Sequence, residues 1–266
     1  MRSLALALAL AISTRAQVPA AVSPSLKFEV ASLKPSMGRG DIRGIRPAPG
    51  GERYLASNAS LKLMLMVAYR LKADQIIGGP TWVDTASWDM TAKAERPSSA
   101  DELHMMLQNL LKERFRLQFH HETKELPVYV LSINTSGDKS GPRMKAHQPQ
   151  NAGDTWIDQR VEGVVHVIMS ARFTPMDYLA WRLGQVLDRP VVDRTNLKGG
   201  YDFDLTYTRE LPPNIPEGAL INGNPIDTGG PTIFAALKQQ LGLKLEPQKA
   251  PVEIMVIDRA EKPAEN

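Results

Sequence analysis

Two stretches of the chain read alike: MLQNLLKERFRLQFHHETKELPVYVLSI at 106–133 and ALKQQLGLKLEPQKAPVEIMVI at 236–257. Leu107 and Leu111 stand where Leu237 and Leu241 stand. Phe115 and Leu117 answer Leu243 and Leu245, Pro127-Val128 answers Pro251-Val252, and Ile133 answers Ile257. In each stretch apolar residues three and four apart predict a helix, and the alternation that follows predicts a strand. A polar, proline-bearing break then separates a second apolar run, read as a further strand.

Working outward, the elements before each stretch repeat in order. The first pass has a strand at 27–34 stopped by Pro35, a Gly/Pro/Arg-rich loop at 36–52 and a strand at 53–57. A helix capped by Asn58 or Ser60 runs to Leu71, followed by a short strand at 75–77 that Gly78-Gly79-Pro80 stops. Trp88, Met90 and Ala92 alternate along 87–93, and Ser98 or Ser99 caps a second helix to Arg114. The second pass has a strand at 164–170, a helix opened by Thr174-Pro175, a strand at 190–193 and the alternating YDFDLTY at 201–207. A Pro/Gly loop at 210–230 and a helix from Pro231-Thr232 to Gly242 complete it. Trp88-Asp89-Met90 answers Tyr201-Asp202-Phe203.

The expected fold class is therefore α+β: two tandem two-layer units, each in the order strand–helix–strand–strand–helix–strand–strand. The units fall at 27–133 and 164–258, with a linker or long loop at 134–163 and a tail at 259–266. A unit of roughly 80–90 residues is marginal alone, so the two are expected to share an interface or a continuous sheet.

Residues 1–16, MRSLALALALAISTRA, have Arg2 ahead of an unbroken apolar run from Leu4 to Ile12, with small residues at Thr14 and Ala16. This is the pattern of a secretory signal peptide, and 17–26 reads as a Pro/Ala-rich linker. The expected location is secreted or periplasmic, with no transmembrane segment after removal of the leader. The chain carries 32 basic and 29 acidic residues, and loss of Arg2 and Arg15 would leave 30 against 29. So small an excess argues against nucleic acid. The absence of cysteine excludes disulfides, thiolate metal sites and cysteine nucleophiles.

FEVASLKPS, IIGGPTWVDTASWDMTAKA, LQNLLKERFRLQFHHETKELPVYVL, DRPVVDRTNLKGGYDFDLTY and FAALKQQLGLKLEPQKAPVEIMVIDRAEKPAEN together resemble an uncharacterised secreted family of Acidobacteria and other soil bacteria. Some of its members are joined to BlaR-type sensor metallopeptidases. The resemblance runs from Phe28 to the C-terminus and implies no catalytic residue. This chain has no HExxH. The repeat unit, best seen from Thr174 to Ile257, more distantly resembles the short N-terminal domain of secretins and TonB receptors. That resemblance implies a periplasmic protein–protein interaction module.

Chemistry-bearing clusters are few. His120-His121-Glu122 could form half a metal site, but on a strand only His120 and Glu122 share a face. Against it stands the ordinary reading of solvated residues at a strand end. Asp84 and Asp89 near Trp82 and Trp88 are the acid–aromatic pattern of a sugar site, or turn caps beside core rings. Arg39, Arg43, Arg46 and Arg53 form a basic loop able to meet an anionic polymer or headgroup, or simply a solvated loop. No nucleophile elbow and no phosphate loop is present. No cofactor and no catalytic residue is expected. The chain reads as an exported, non-catalytic binding protein of the cell envelope. Its partner is a protein or peptide engaged through a groove or a strand edge, and a sensory role in signalling is one such use. An envelope hydrolase with a His/Glu metal site is the alternative.

Overall fold

A computed structural model describes residues 26–38, 44–48, 50–135, 142–147, 156–210, 215–216, 218–221 and 223–263. The proposed leader, most of the linker after it, Arg39 and Arg43 lie outside the described residues.

The first half runs β1 (Val30–Pro35), β2 (Gly44–Pro47), β3 (Arg53–Ser60), α1 (Leu61–Ala68), β4 (Ile76–Gly78), a single turn α2 (Trp82–Thr85), β5 (Ser87–Lys93), α3 (Ala100–Arg114) and β6 (Gln118–Ile133). The second runs β7 (Lys145–His147), β8 (Trp156–Glu162), β9 (His166–Thr174), α4 (Met176–Val186), β10 (Val191–Asp193), β11 (Gly200–Thr208), the small hairpin β12 (Leu220–Ile221) and β13 (Asn224–Pro225), α5 (Ile233–Ala236) and β14 (Leu243–Arg259). A π-type turn at Leu237–Leu241 prolongs α5.

Local chemistry explains the helices. Ser60 accepts from the Leu63 amide and opens α1. At α3, Ser99 Oγ accepts from the Glu102 amide while Glu102 Oε2 accepts from the Ser99 amide, a reciprocal capping box. The Arg96 guanidinium and the Ser99 amide hold the Glu102 carboxyl below the usual carboxylate range. Asp101 and Glu102 lie in the first turn and Lys112 and Arg114 in the last, the arrangement the helix dipole favours.

One four-stranded sheet has the order β1-β5-β3-β2 and another β7-β11-β9-β8. The first packs on α1 and α3 and the second on α4 and α5, giving two lobes with separate apolar cores. In both, the strand before the first helix carries a bulge with a left-handed residue, Asn58 (φ 47) and Phe173 (φ 38). Both amides are caught by an aspartate on the neighbouring strand: Asn58 by Asp89 at 2.8 Å and Phe173 by Asp202 at 2.9 Å.

A third sheet, β10-β6-β14-β4, draws strands from both lobes. β6 and β14 pair antiparallel along nearly their whole length, Leu243 opposite Ile133 through Ile257 opposite Phe119. β4 lies parallel to β14 and β10 parallel to β6. Each long strand therefore begins in its own lobe and ends in the other. Leu117 of the first lobe's core leads into Leu131 of the second's, and Leu243 and Leu245 of the second lead to Met255 and Ile257 of the first. Midway, the opposite face of the ribbon carries a smaller cluster of Val128, Val130, Ala250, Val252 and Ile254.

The structure differs from the sequence expectations in four places. The two strands expected at the end of each stretch are one strand, because the breaks HHETKEL and EPQKAP belong to the ribbon between the lobes. There one face meets water, and Pro127, Pro247 and Pro251 are tolerated at the ribbon's edges. The stretch 134–163, expected as linker or loop, contributes β7 and β8 to the second lobe's sheet. The basic loop at 36–52 contains β2, held by pairing with β3 and by Ile45 against the first core. Within the 210–230 loop, β12 and β13 form a hairpin. Among the described residues no helix is long and apolar enough to cross a membrane.

Gly78 has φ +78, and a Cβ there would lie 2.8 Å from the Ile257 carbonyl oxygen, whereas a Cβ on Gly44 meets nothing within 4 Å. Gly78→Ala should destabilise by about 1–3 kcal/mol in urea unfolding while Gly44→Ala stays close to wild type. Burial would raise the Asp202 carboxyl, but the Phe173 amide and His147 hold it below the usual range, and its side chain is 14% exposed. Asp202→Ala should therefore lower the urea midpoint more than Asp89→Ala, whose carboxylate holds the equivalent Asn58 amide.

Candidate functional site

Four of the five histidines each face a carboxylate. His120 Nδ1 lies 2.9 Å from Asp258, His121 Nδ1 3.2 Å from Glu253, His147 Nδ1 2.9 Å from Asp202, and His166 Nε2 3.3 Å from Asp227. His120 and Glu122 share a face of β6, with Nε2 3.6 Å from Glu122 Oε1. Asp258 and Glu122 thus flank opposite nitrogens of one exposed ring instead of converging with it on a common point. Among the described residues no group of three His, Asp or Glu side chains is placed to hold a metal. The hydrogen bond to Asp258 raises the His120 pKa above its ordinary value, with Glu122 adding to the effect.

The acid–aromatic candidates separate. Trp82 and Trp88 meet edge to face at 5.7 Å and both pack on Phe115, with Trp88 fully within the first core. Asp84 points to Lys62 at 3.4 Å, and Asp89 holds the Asn58 amide. Of the basic residues within the described chain, Arg46 and Arg53 sit exposed on the paired strands β2 and β3.

A cleft of about 350 Å³ opens instead where the lobes meet, lined by Arg70, Lys72, Trp181, Gln185, Pro190–Val192 and Pro251–Glu253 among others. Most of its polar groups are already spent on joining the lobes. Arg70, left-handed at φ 54 just past α1, binds Asp101 of α3 and, at 2.9 Å, Asp177 of α4, and lies 5.0 Å over the Tyr178 ring. Lys72 Nζ donates to the Gly184 and Leu187 carbonyls at 3.0 and 2.7 Å, closing the C-terminal end of α4. Trp181 and Gln185 both donate to the Leu71 carbonyl. A second hollow of about 270 Å³ lies on the other side of Arg70, lined by Tyr69, Asp101, His104, Met105 and Gln108.

Sequence reasoning did not single out Arg70, Lys72 or Trp181, whose partners in the other lobe lie more than a hundred residues away. His104 did carry a signal, because it shares the apolar stripe of Leu103, Leu107 and Leu111.

The ribbon offers the other surface. The Tyr129 amide donates outward to the Pro190 carbonyl, and the Glu253 carbonyl accepts from Gln75 on the opposite edge. By strand alternation Pro127 faces the same edge as Tyr129, and its partner Lys249 faces out with Pro247 and Pro251. The edge of β14 is therefore broken by two prolines. On β6 the backbone groups of His121, Thr123 and Glu125 point outward, and among the described residues no strand pairs with them. Thr123 and Glu125 are exposed.

The His120 ring should titrate above an ordinary histidine in an NMR pH series, and Asp258→Asn should bring it down, because the imidazolium loses its principal partner. No curated protein and no solved structure matches the chain. Residues 62–260, from the start of α1 to the end of β14, match a family described as a protein of unknown function, DUF3738, and the chain belongs to that family.

Proposed function

We infer that this chain is an exported, non-catalytic binding protein of the cell envelope that takes an extended segment of a protein partner onto the edge of β6. One observation carries the reading: of the two outer edges of the central ribbon, β14 is blocked by Pro247 and Pro251, while β6, ahead of its one edge proline Pro127, presents His121, Thr123 and Glu125 with no strand paired to them among the described residues. Added strands gain affinity from main-chain hydrogen bonds and need no catalytic or ligating side chain. The leader-like run behind Arg2 supports export, and the resemblance to secreted proteins joined to sensor peptidases supports a partner-binding role in signalling. The lobes are on this reading copies of one tandem unit. The matched strand orders of their sheets and the Asp89–Asn58 and Asp202–Phe173 clamps support that duplication.

Thr123→Pro removes one outward amide without touching the β6–β14 ladder, since Thr123 and its partner Glu253 face the edges. The variant should unfold within about 0.5 kcal/mol of wild type. It should lose a partner that wild-type protein captures from envelope extract, and that partner should slow amide exchange at 121, 123 and 125. A partner retained by Thr123→Pro, or no partner above background, overturns the edge reading.

A further inference from the structure

The geometry points to His104 as an acid-operated latch between the lobes: neutral, its ring packs α3 against α4, and protonated, it leaves that contact and lets the two helices part. His104 is 3% exposed. Its ring stacks on Tyr178 of α4 at 6.2 Å and 22°, and lies 5.9 Å from the Tyr54 ring of β3. Among the described residues neither ring nitrogen has a hydrogen-bond partner, and the Tyr54 hydroxyl has none either. An apolar ring would fill this space with no unpartnered nitrogen, so the imidazole is here a liability to packing that only its ability to take a proton distinguishes.

The charges around the ring decide what a proton does. Arg70, from the segment after α1, stands beside it and disfavours a second cation. Asp101, one turn earlier on α3, favours one but is already bound to Arg70. From α4, Asp177 is engaged by the same Arg70, and Arg182 lies 5.8 Å over the Trp181 ring and near enough to Tyr178 to act on its hydroxyl, a second cation on this side of the contact. Tyr54 and Tyr178 have hydroxyl pKa values raised by burial and stay neutral. Inside the contact an imidazolium would have two N–H donors and no acceptor among the described residues.

The way out is short. The hollow lined by Tyr69, Arg70, Asp101, Met105 and Gln108 borders the ring, and Asp101, whose side chain is 63% exposed, can accept the new N–H there. That move breaks the Tyr178 stack and takes from Arg70 one of its two carboxylates. The β6–β14 ribbon contains neither group, so the lobes stay joined while α3 and α4 separate.

Burial, with Arg70, lowers the His104 pKa from 6.5 to about 4. A depressed base favours the closed form above its ordinary pKa. The preference is full above 6.5 and fades as pH falls toward 4. Over that window the ratio of closed to open molecules falls by up to about 300-fold.

The natural absence of cysteine permits a direct test. Glu113→Cys on α3 and Val186→Cys at the end of α4 take a pair of spin labels at exposed positions. In wild-type background the label distance should be single at about pH 7.5 and gain a longer component by about pH 4.5, with far-UV circular dichroism unchanged. His104→Phe and His104→Leu, each neutral and apolar, should keep the short distance across that range. If either variant folds natively at neutral pH and still opens in acid, the latch is wrong. It is equally wrong if the wild-type distance holds while NMR shows His104 protonated, or if the distance changes only together with loss of secondary structure. The measurement needs no partner, so it stands or falls apart from the edge-binding reading.

Discussion

Each lobe's apolar core is closed by a strand that starts in the other. Met255 and Ile257 are buried among α1, α3 and the first sheet, yet they belong to the strand that leaves α5. Leu131 lies among α4, β9 and β11, yet it follows α3. Removing either end strand would leave a large apolar cavity in the partner lobe, a loss of several kcal/mol per buried side chain pair on the scale of core truncations. The short strands β4 and β10 depend on the same exchange, since among the described residues each pairs with the long strand of the other half and with no other strand. Neither lobe has a complete set of layers without the other.

The exchange also sets the demands on the helix side. With the ribbon holding the lobes along one side, the ends of α1 and α4 meet on the other and present backbone carbonyls that need partners. Lys72 closes the last carbonyls of α4, where a cation is favoured by the helix dipole. Trp181 and Gln185 satisfy the Leu71 carbonyl in return. Arg70 can reach Asp101, Asp177 and the Tyr178 face together only because the backbone turns left-handed there, a conformation more usual for glycine or asparagine. Both aspartates are well exposed, so these ion pairs add orientation more than stability.

Local elements were legible in the sequence because their causes are local. Ser60 and Ser99 cap where their hydroxyls fall before an apolar stripe, and Gly242 ends the last helix in the left-handed conformation its lack of a side chain permits. The long strands were not legible as single elements. Their odd positions are apolar at both ends and polar between, since only the ends lie over a core, while even positions such as Val128, Val252 and Ile254 turn apolar in the middle. A period-two reading sees that change of face as a break, and prolines at the edges strengthen the illusion. The cleft was invisible for a different reason. Arg70, Lys72 and Trp181 carry no shared spacing, and only the exchange brings them together. His120 and Glu122 were correctly placed on one face by alternation, but alternation cannot say that Asp258 would take the other nitrogen of the ring.

An exchanged ribbon has a stretch whose edges run between the lobes although one of its faces is buried, and the chemistry of its two edges there need not match. A strand edge inside a lobe is shielded by its neighbours, whereas one between lobes must be defended against pairing or left available for it. β14 is defended in the backbone itself, because Pro247 and Pro251 have no amide to donate. β6 has one edge proline, Pro127, and from His121 to Glu125 only side chains for the purpose; His121, Lys124 and Glu125 there carry mixed charges, His121 and Lys124 being paired with Glu253 and Glu122. Such charges repel little and are screened within about 8–10 Å at ordinary salt. The defence is thus permanent on one edge and conditional on the other, and it is the conditional edge that a partner bringing its own strand can use.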